Sequence, residues 1–431
     1  MTTANYHSEP LVNAASRHRW KVLAAGVAAN ASFSVAFSGL PMTAVLMRTA
    51  YHLDNATLGL MLGLMGLGIA LSELPWGMLT DRWGDRPVLL LGLGSTALAL
   101  LAMCVWAGPV GAGAAAQAGW PLLGAGLVLV GLLGGSVNGA SGRAVMSWFS
   151  AQERGLAMSI RQTAVPMGGA IGALLLPWLA GQGGFGWIYG LLAALCAVSA
   201  ALCWAWVHEP DRKPVVKDSA AALTPTPLRD PTIWRMVAGI GLLCAPQFAV
   251  LSFGTVFLHD FARLGLVPIS AAMAAVQLGA MGLRIWSGRW TDQRGNRPAY
   301  LRACALFSVA AFMSLSAMAL LSSTTHPGGL GWLLGSLLVL SGLIVSAWHG
   351  VAYAELGTRA GAAQSGTALG MANTSVFLVC FLTPIAIPHL LALQGWPLVW
   401  LAAGLVAMAA RPLLAPRRSA SKPVFKTLLS S

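Results

Sequence analysis

Charge is scarce in this chain. Only 9% of its 431 residues are Asp, Glu, Lys or Arg, against roughly 25% in soluble domains. Thirteen acidic and 26 basic side chains are too few to coat a water-soluble protein of this length, so a soluble multidomain enzyme is excluded. Disorder is excluded by the apolar content, 57% of residues. Cysteine is sparse as well: Cys104, Cys196, Cys203, Cys244, Cys304 and Cys380 all lie in apolar runs, without CxxC spacing. They read as small buried residues rather than disulfides or metal ligands. No G-x-x-x-x-G-K-[ST] loop occurs, which argues against ATP-driven transport. No strand-borne G-x-S-x-G elbow and no Cys/His/Asp cluster is present. The expectation is a non-enzyme without cofactor or metal.

The chain is instead rich in apolar runs, with a mean hydropathy of +0.71. Its length fits about a dozen bilayer-spanning helices of roughly 20 residues each. The fold class expected is an all-α membrane protein of twelve transmembrane helices. Residues 1–19 are polar and include His7 and Glu9, unlike a signal peptide, and read as an N-terminal tail. Spans are predicted at 20–45, 57–79, 88–108, 120–142, 155–180 and 186–207, then at 234–258, 269–288, 300–321, 332–353, 365–388 and 396–411. Between the two sets lies a polar linker, 208–233, and after them a basic tail, 412–431.

The net charge of +13 would point to nucleic acid in a soluble protein. Here the basic residues sit in short inter-helix segments with no aromatic-basic patch, so no nucleic-acid partner is expected. With both termini in the cytoplasm, 22 of the 26 Lys/Arg fall on the cytoplasmic side, as the positive-inside rule requires. Arg48 and Arg263 fall outside, and Arg161 and Arg284 within spans. High Ala and Gly content points to a bacterial chain, hence to the inner membrane, with the bilayer as partner and a monomer as the expected state.

The halves repeat. The segment GMLTDRWGDRP, with Gly77, Asp81, Arg82, Gly84 and Arg86, recurs as GRWTDQRGNRP, with Gly288, Asp292, Gly295 and Arg297; Asp81 and Asp292 are 211 positions apart. Gly155, Ala157 and Thr163 recur at the same offset as Gly366, Ala368 and Thr374, and Pro177 as Pro388. A shared register over that distance marks a duplicated six-helix unit, two bundles related by a pseudo-two-fold axis along the membrane normal. The first loop resembles the signature loop of the major facilitator superfamily, and the resemblance runs from Trp20 to Arg411; the second copy departs at Gln293, where the first has Arg82. It implies a secondary transporter in which these loop residues act as a conformational gate, Asp81 pairing with Arg82 or Arg86.

Four groups inside spans carry the functional reading. An Arg in hydrocarbon is costly and faces a cavity or a partner. Arg284, two turns before Asp292, sits in the string RIWSG, which resembles the helix 8 pattern of monocarboxylate transporters. There an Arg four residues before the Gly receives the substrate carboxylate, a task suited to the planar fork of guanidinium. Glu73 stands at the repeat position of Arg284 and is the only acidic residue well inside a predicted span. A carboxylate shut away from water can take up and release a proton, which makes Glu73 the proton-coupling candidate. Arg161 precedes a Pro- and Gly-broken stretch, Pro166 to Gly169, and is either a second cation beside Arg284 or part of a gate with Glu153 and Arg154. His349, the repeat partner of Asn138, is the second proton candidate. Asn30, Ser34, Asn138, Gln247, His349, Asn373 and Thr374 are further lining candidates, whereas Trp148, Trp178, Trp187 and Trp396 read as interfacial belts.

The expected cargo is a small organic anion, monocarboxylate-like, driven by protons. Efflux of lipophilic compounds and transport of an inorganic anion such as nitrate are the alternatives. Nitrate carriers of the superfamily use paired arginines on helices 2 and 8, and the helix 2 position here is Glu73. A non-transporting sensor is the alternative of another class.

Overall fold

The computed structural model describes residues 8–107, 120–149, 154–208, 227–324, 330–360 and 365–414. All regular structure among them is helical. α1 (Ser8–Gly39) passes through a 3-10 turn at Pro41 into α2 (Ala44–Ala50). There follow α3 (Asn55–Trp83), α4 (Asp85–Trp106), α5 (Trp120–Gly134), α6 (Ser136–Trp148), α7 (Arg154–Gln162) and α8 (Ala164–Trp206). The second set is α9 (Pro231–Val256), α10 (Leu266–Arg294), α11 (Arg297–Thr324), α12 (Gly331–Ser346), α13 (His349–Ala360), α14 (Ser365–Gln394) and α15 (Trp396–Leu414).

Local chemistry sets the ends of several helices. Asp54 caps α3 by accepting the Thr57 N–H at 2.7 Å, and that bond holds its carboxyl below the usual carboxylate range. Asp230 caps α9 through the Thr232 hydroxyl and amide, with Pro231 at the first helical position. The repeated loops each turn on a glycine at positive φ, Gly84 at +88° and Gly295 at +62°.

Eleven helical segments among the described residues are long and apolar enough to cross a membrane. One of them, Ile160–Trp206, has 47 residues. A single helix of that length would be roughly 70 Å long, more than twice a hydrocarbon core. Its backbone leaves helical geometry at Gly184, φ +70° and ψ −169°, so two helices meet there, between the spans predicted at 155–180 and 186–207. Conversely, the spans predicted at 120–142 and 332–353 are each broken, near Gly135 and at Ala347–Trp348, places related by the repeat. At Gly135 an added Cβ would meet the Ser72 hydroxyl, so α5, α6 and α3 approach closely there. The predicted N-terminal tail is no separate element, since α1 begins at Ser8; residues 1–7, 209–226 and 415–431 lie outside the described residues. Trp396 is not an interfacial residue: it is 8% exposed and packs on Phe257 and Trp400.

α8 lies along α1 and α4, and α3 against α5. In the second set α15 lies along α11 and α9, and α9 against α14. The main contacts between the sets are α3 with α14 and α8 with α10, and smaller ones join α9 to α2 and its 3-10 turn and α10 to α7. Small residues allow these approaches. A Cβ on Gly172 of α8 would strike the backbone of Gly39 in α1. Gly172→Leu is therefore expected to cost about 1–3 kcal/mol through overpacking, read as a lower Tm of the detergent-purified protein. An unchanged Tm would contradict this backbone contact.

Candidate functional site

Between the two sets lies a cavity of about 130 Å³. Asn30, Asn138, Arg161, Gln247, Arg284, His349 and Asn373, the seven residues expected to bind substrate, all line it, as does Ser34. Thr374 is exposed on the other side of α14 and does not. Sequence reasoning missed Gln162, Gln277 and Tyr353 in the wall, together with Phe33, Phe37, Phe248 and Phe377. Gln162 and Gln277 were detectable, because each is a polar residue inside an apolar run; the phenylalanines carry no such mark.

The charged groups are held differently in the two sets. Glu73 of α3 is 9% exposed and accepts a 2.8 Å hydrogen bond from Asn138 Nδ2 of α6. Arg161 of α7, 5% exposed, donates from Nε and Nη2 to Ser141 Oγ at 3.0 and 2.9 Å and from Nη2 to the Asn138 carbonyl at 2.6 Å. Arg161 and Glu73 are close enough for their charges to interact, and Asn373 of α14 approaches the same carboxylate. The charges of Glu73 and Arg161 offset one another without a direct ion pair, and each is held by its own hydrogen bonds to Asn138 and Ser141. The reading of Arg161 as a gate partner of Glu153 and Arg154 has no such support: residue 153 and the Arg154 side chain lie outside the described part.

Arg284 contrasts with it. Its Nε is buried without a hydrogen-bond partner among the described residues. Its neighbours are His349, Tyr353 and Cys244 rather than a carboxylate. The His349 ring stacks between Trp348 at 4.1 Å and Tyr353 at 5.6 Å, and its Nδ1 is unpartnered. Tyr353 in turn donates to Asn373 Oδ1 at 2.9 Å. One set thus holds a compensated Glu–Arg pair and the other an uncompensated Arg, at positions related by the repeat.

An ion pair joins the sets at one end. There Arg48 of α2 makes two bonds to Asp260, Nη1–Oδ2 at 2.5 Å and Nη2–Oδ1 at 2.9 Å. His259 Nδ1 adds a contact to Asp260 Oδ1 at 2.7 Å, and Asn55 accepts from Arg48 Nη1 at 3.2 Å. Along α3 the same end is closed by Gly59, Gly63 and Gly66, whose added Cβ atoms would meet Pro384, Phe381 and Phe377 of α14. Gly77 and Gly370, on the continuation of these stripes toward the repeated loops, have nothing within 4 Å. The Arg48–Asp260 link escaped sequence reasoning, although its signal was available: His259 occupies the repeat position of Arg48.

At the loop end, Arg297 Nη2 pairs with Asp292 Oδ1 at 2.7 Å and its Nη1 reaches Thr358 Oγ1 at 3.1 Å, tying the second loop to α13. In the first loop the described contacts of Arg86 run to a neighbouring helix. Arg86 donates to the Trp204 carbonyl at 2.8 Å and stacks over the Trp204 ring at 4.6 Å. Arg82 is exposed, and the Asp81 side chain lies outside the described part. The buried acid of this loop is Asp85, 3.5 Å from Arg143 Nε, and Arg143 also bonds the Thr80 carbonyl. An indole ring and a free carbonyl one helix away hold Arg86 better than a neighbour on its own loop.

The sequence profile described as Major Facilitator Superfamily matches residues 24–384. The chain belongs to the Major Facilitator Superfamily. It is 31% identical over 403 residues, 93% of this chain and 85% of the relative, to an uncharacterized MFS-type transporter of Mycobacterium tuberculosis. Among solved structures it resembles the D-xylose-proton symporter, with a TM-score of 0.75 at 16% identity over 91% of this chain and 97% of that one. It also resembles a bacterial homolog of the human lysosomal transporter Spinster, solved inward-facing and unoccupied, with a TM-score of 0.67 at 15% identity over 92% of each. Both share its fold. The chain is thus a multi-pass membrane transporter, and superfamily membership implies a small-molecule substrate.

In this superfamily member the Arg48–Asp260 pair is a latch between halves. The pair is bidentate and partly exposed, with side chains 23% and 33% accessible, so its worth is about 1 kcal/mol. Asp260→Asn is expected to raise the population open at that end about five-fold, measured as faster labelling of a cysteine at position 34 by an impermeant maleimide. The swapped pair, Arg48→Asp with Asp260→Arg, should restore the parent rate. Equal labelling of all three proteins would remove the latch.

Proposed function

We propose that this chain is a secondary active transporter that moves a small organic anion, monocarboxylate-like, together with a proton. Two six-helix bundles, residues 20–207 and 234–411, alternate access about the central cavity, giving twelve crossings once the helix bent at Gly184 is counted as two. The linker 208–233 and both tails are cytoplasmic in the bacterial inner membrane, following the basic residues. The Arg48–Asp260 end is then external and closed, and the chain is seen facing inward. The repeated loops, Gly77 to Arg86 and Gly288 to Arg297, form the cytoplasmic gate that draws together in the opposite state.

The observation that carries the reading is the guanidinium of Arg284, without a carboxylate partner, in a cavity whose other lining charge, Arg161, is offset by Glu73, which is not in the lining but bonds to Asn138 of the wall. A site with that residual charge stabilises one anion. Asn30, Gln247, Asn138 and Asn373 supply neutral hydrogen bonds around it, and Phe33, Phe37, Phe248 and Phe377 contact an apolar body. Glu73 carries the proton, because neutralising it frees Arg161 from its partner and changes the charge balance of the cavity. His349 remains the reserve carrier, although its stacking between Trp348 and Tyr353 also fits a structural role.

Arg284→Lys keeps the charge and loses the fork. Removing a charge-assisted hydrogen bond costs on the order of 1.5–3 kcal/mol, so anion affinity is expected to fall about 10- to 100-fold. Glu73→Gln is expected to abolish pH-gradient-driven accumulation in proteoliposomes while sparing substrate exchange. Exchange needs only reorientation of the loaded carrier, whereas accumulation also needs the proton to leave. Accumulation by Glu73→Gln at the parental rate would assign the proton elsewhere. The four phenylalanines favour one second reading, efflux of lipophilic compounds, and there Arg284→Lys would leave transport unchanged.

A further inference from the structure

The cysteines were expected to be inert filler, and two of them are not placed that way. Cys244 of α9 and Cys380 of α14 bring their Sγ atoms to 3.8 Å, and both line the cavity. Gly66 of α3 backs directly on Cys380, so the pair lies where the two halves meet. Four residues after Cys244 comes Phe248, and three before Cys380 comes Phe377, spacings that put ring and thiol on one face of each helix. Phe37 of α1 bridges these rings, stacked on Phe248 at 5.7 Å and edge-on to Phe377 at 5.4 Å.

The spacing selects the chemistry. A disulfide needs sulfurs about 2.05 Å apart, so direct oxidation would require the helices or rotamers to shift. One soft atom bonded to both thiols fits with little movement: with bonds of roughly 2.3 Å and a near-tetrahedral angle, it spans sulfurs about 3.8 Å apart. A structural zinc ion would need four ligands, and among the described residues no cluster of three or more His, Cys, Asp or Glu exists. The centre that matches takes two protein thiols and brings its own third substituent. We propose that Cys244 and Cys380 form a dithiol site for trivalent organoarsenicals and similar thiophilic metalloids, with the aryl substituent seated against Phe37, Phe248 and Phe377. For an arylarsine oxide, two S–H bonds and the As=O bond are replaced by two As–S bonds. The two protons and the oxygen leave as water, and arsenic stays trivalent, so no oxidant is required. An aryl group seated there wedges between α1 of one half and α9 and α14 of the other.

The test is phenylarsine oxide on the purified full-length protein, read by intact mass and peptide mapping. The expected result is one adduct bridging Cys244 and Cys380, retained in excess 2-mercaptoethanol and released by 2,3-dimercaptopropanol. Two-point attachment should exceed one-point attachment on the order of 100-fold in retention. Cys244→Ser and Cys380→Ser should each lose the monothiol-resistant adduct, and Cys104→Ser should keep it. Mapping the adduct in the parent protein gives the same answer without any variant. A resistant adduct on other cysteines, or none at all, would overturn the site. Equal retention of inorganic arsenite would overturn the aryl seat.

Discussion

Three ionisable side chains have to be kept inside an apolar helical protein, and the arrangement of the rest follows from how that is done. Moving a charge out of water costs several kcal/mol unless a partner and hydrogen bonds replace the solvent. Glu73 and Arg161 solve this together, with Asn138 and Ser141 completing their shells. Arg284 has no carboxylate beside it and an unpartnered Nε. Among the described residues Arg284 is thus a cavity-lining cation without a carboxylate partner. The repeat sharpens the contrast, since Glu73 and Arg284 occupy the same place in the two copies and Asn138 and His349 do likewise. The two copies place opposite charges at one and the same register position.

The closed end completes this logic. A carrier must seal one mouth of its cavity while the other is open, and the seal has to be weak enough to break in each cycle. Glycines on α3 that accept the backbone and rings of α14, joined by one partly exposed ion pair, supply many shallow contacts rather than a single deep one. Such an interface separates at modest cost. At the other end, the described hydrogen bonds of Arg86 and Arg297 stay within their own halves.

Much of this was legible beforehand, because membrane helices obey few rules. Hydropathy located the spans, and the 211-residue offset of Asp81 and Asp292 revealed the duplication. Polar residues in apolar runs pointed to the cavity: Arg161, Arg284 and six of the seven further candidates line it, whereas Thr374 is exposed and Glu73 is not in the lining. What escaped was set by packing. The breaks near Gly135 and Trp348 depend on close approaches between helices that no single-chain pattern records. Arg86 turns to Trp204, 118 positions away, because an indole ring and a carbonyl happen to lie there. Phe37, Phe248 and Phe377 look like any other apolar residues until three helices bring them together.

The most direct measurement of the central claim is thermal stability of the detergent-purified protein with matched pairs of ligands, each carboxylic acid beside its neutral methyl ester. A ligand held at a hundred times its Kd stabilises the folded state by about 2.7 kcal/mol. If the unpaired guanidinium of Arg284 defines the site, at least one small carboxylate should raise the Tm and its ester should not. Stabilisation by acid and ester alike, or by lipophilic cations with no carboxylate active, would contradict an anion-selecting cavity.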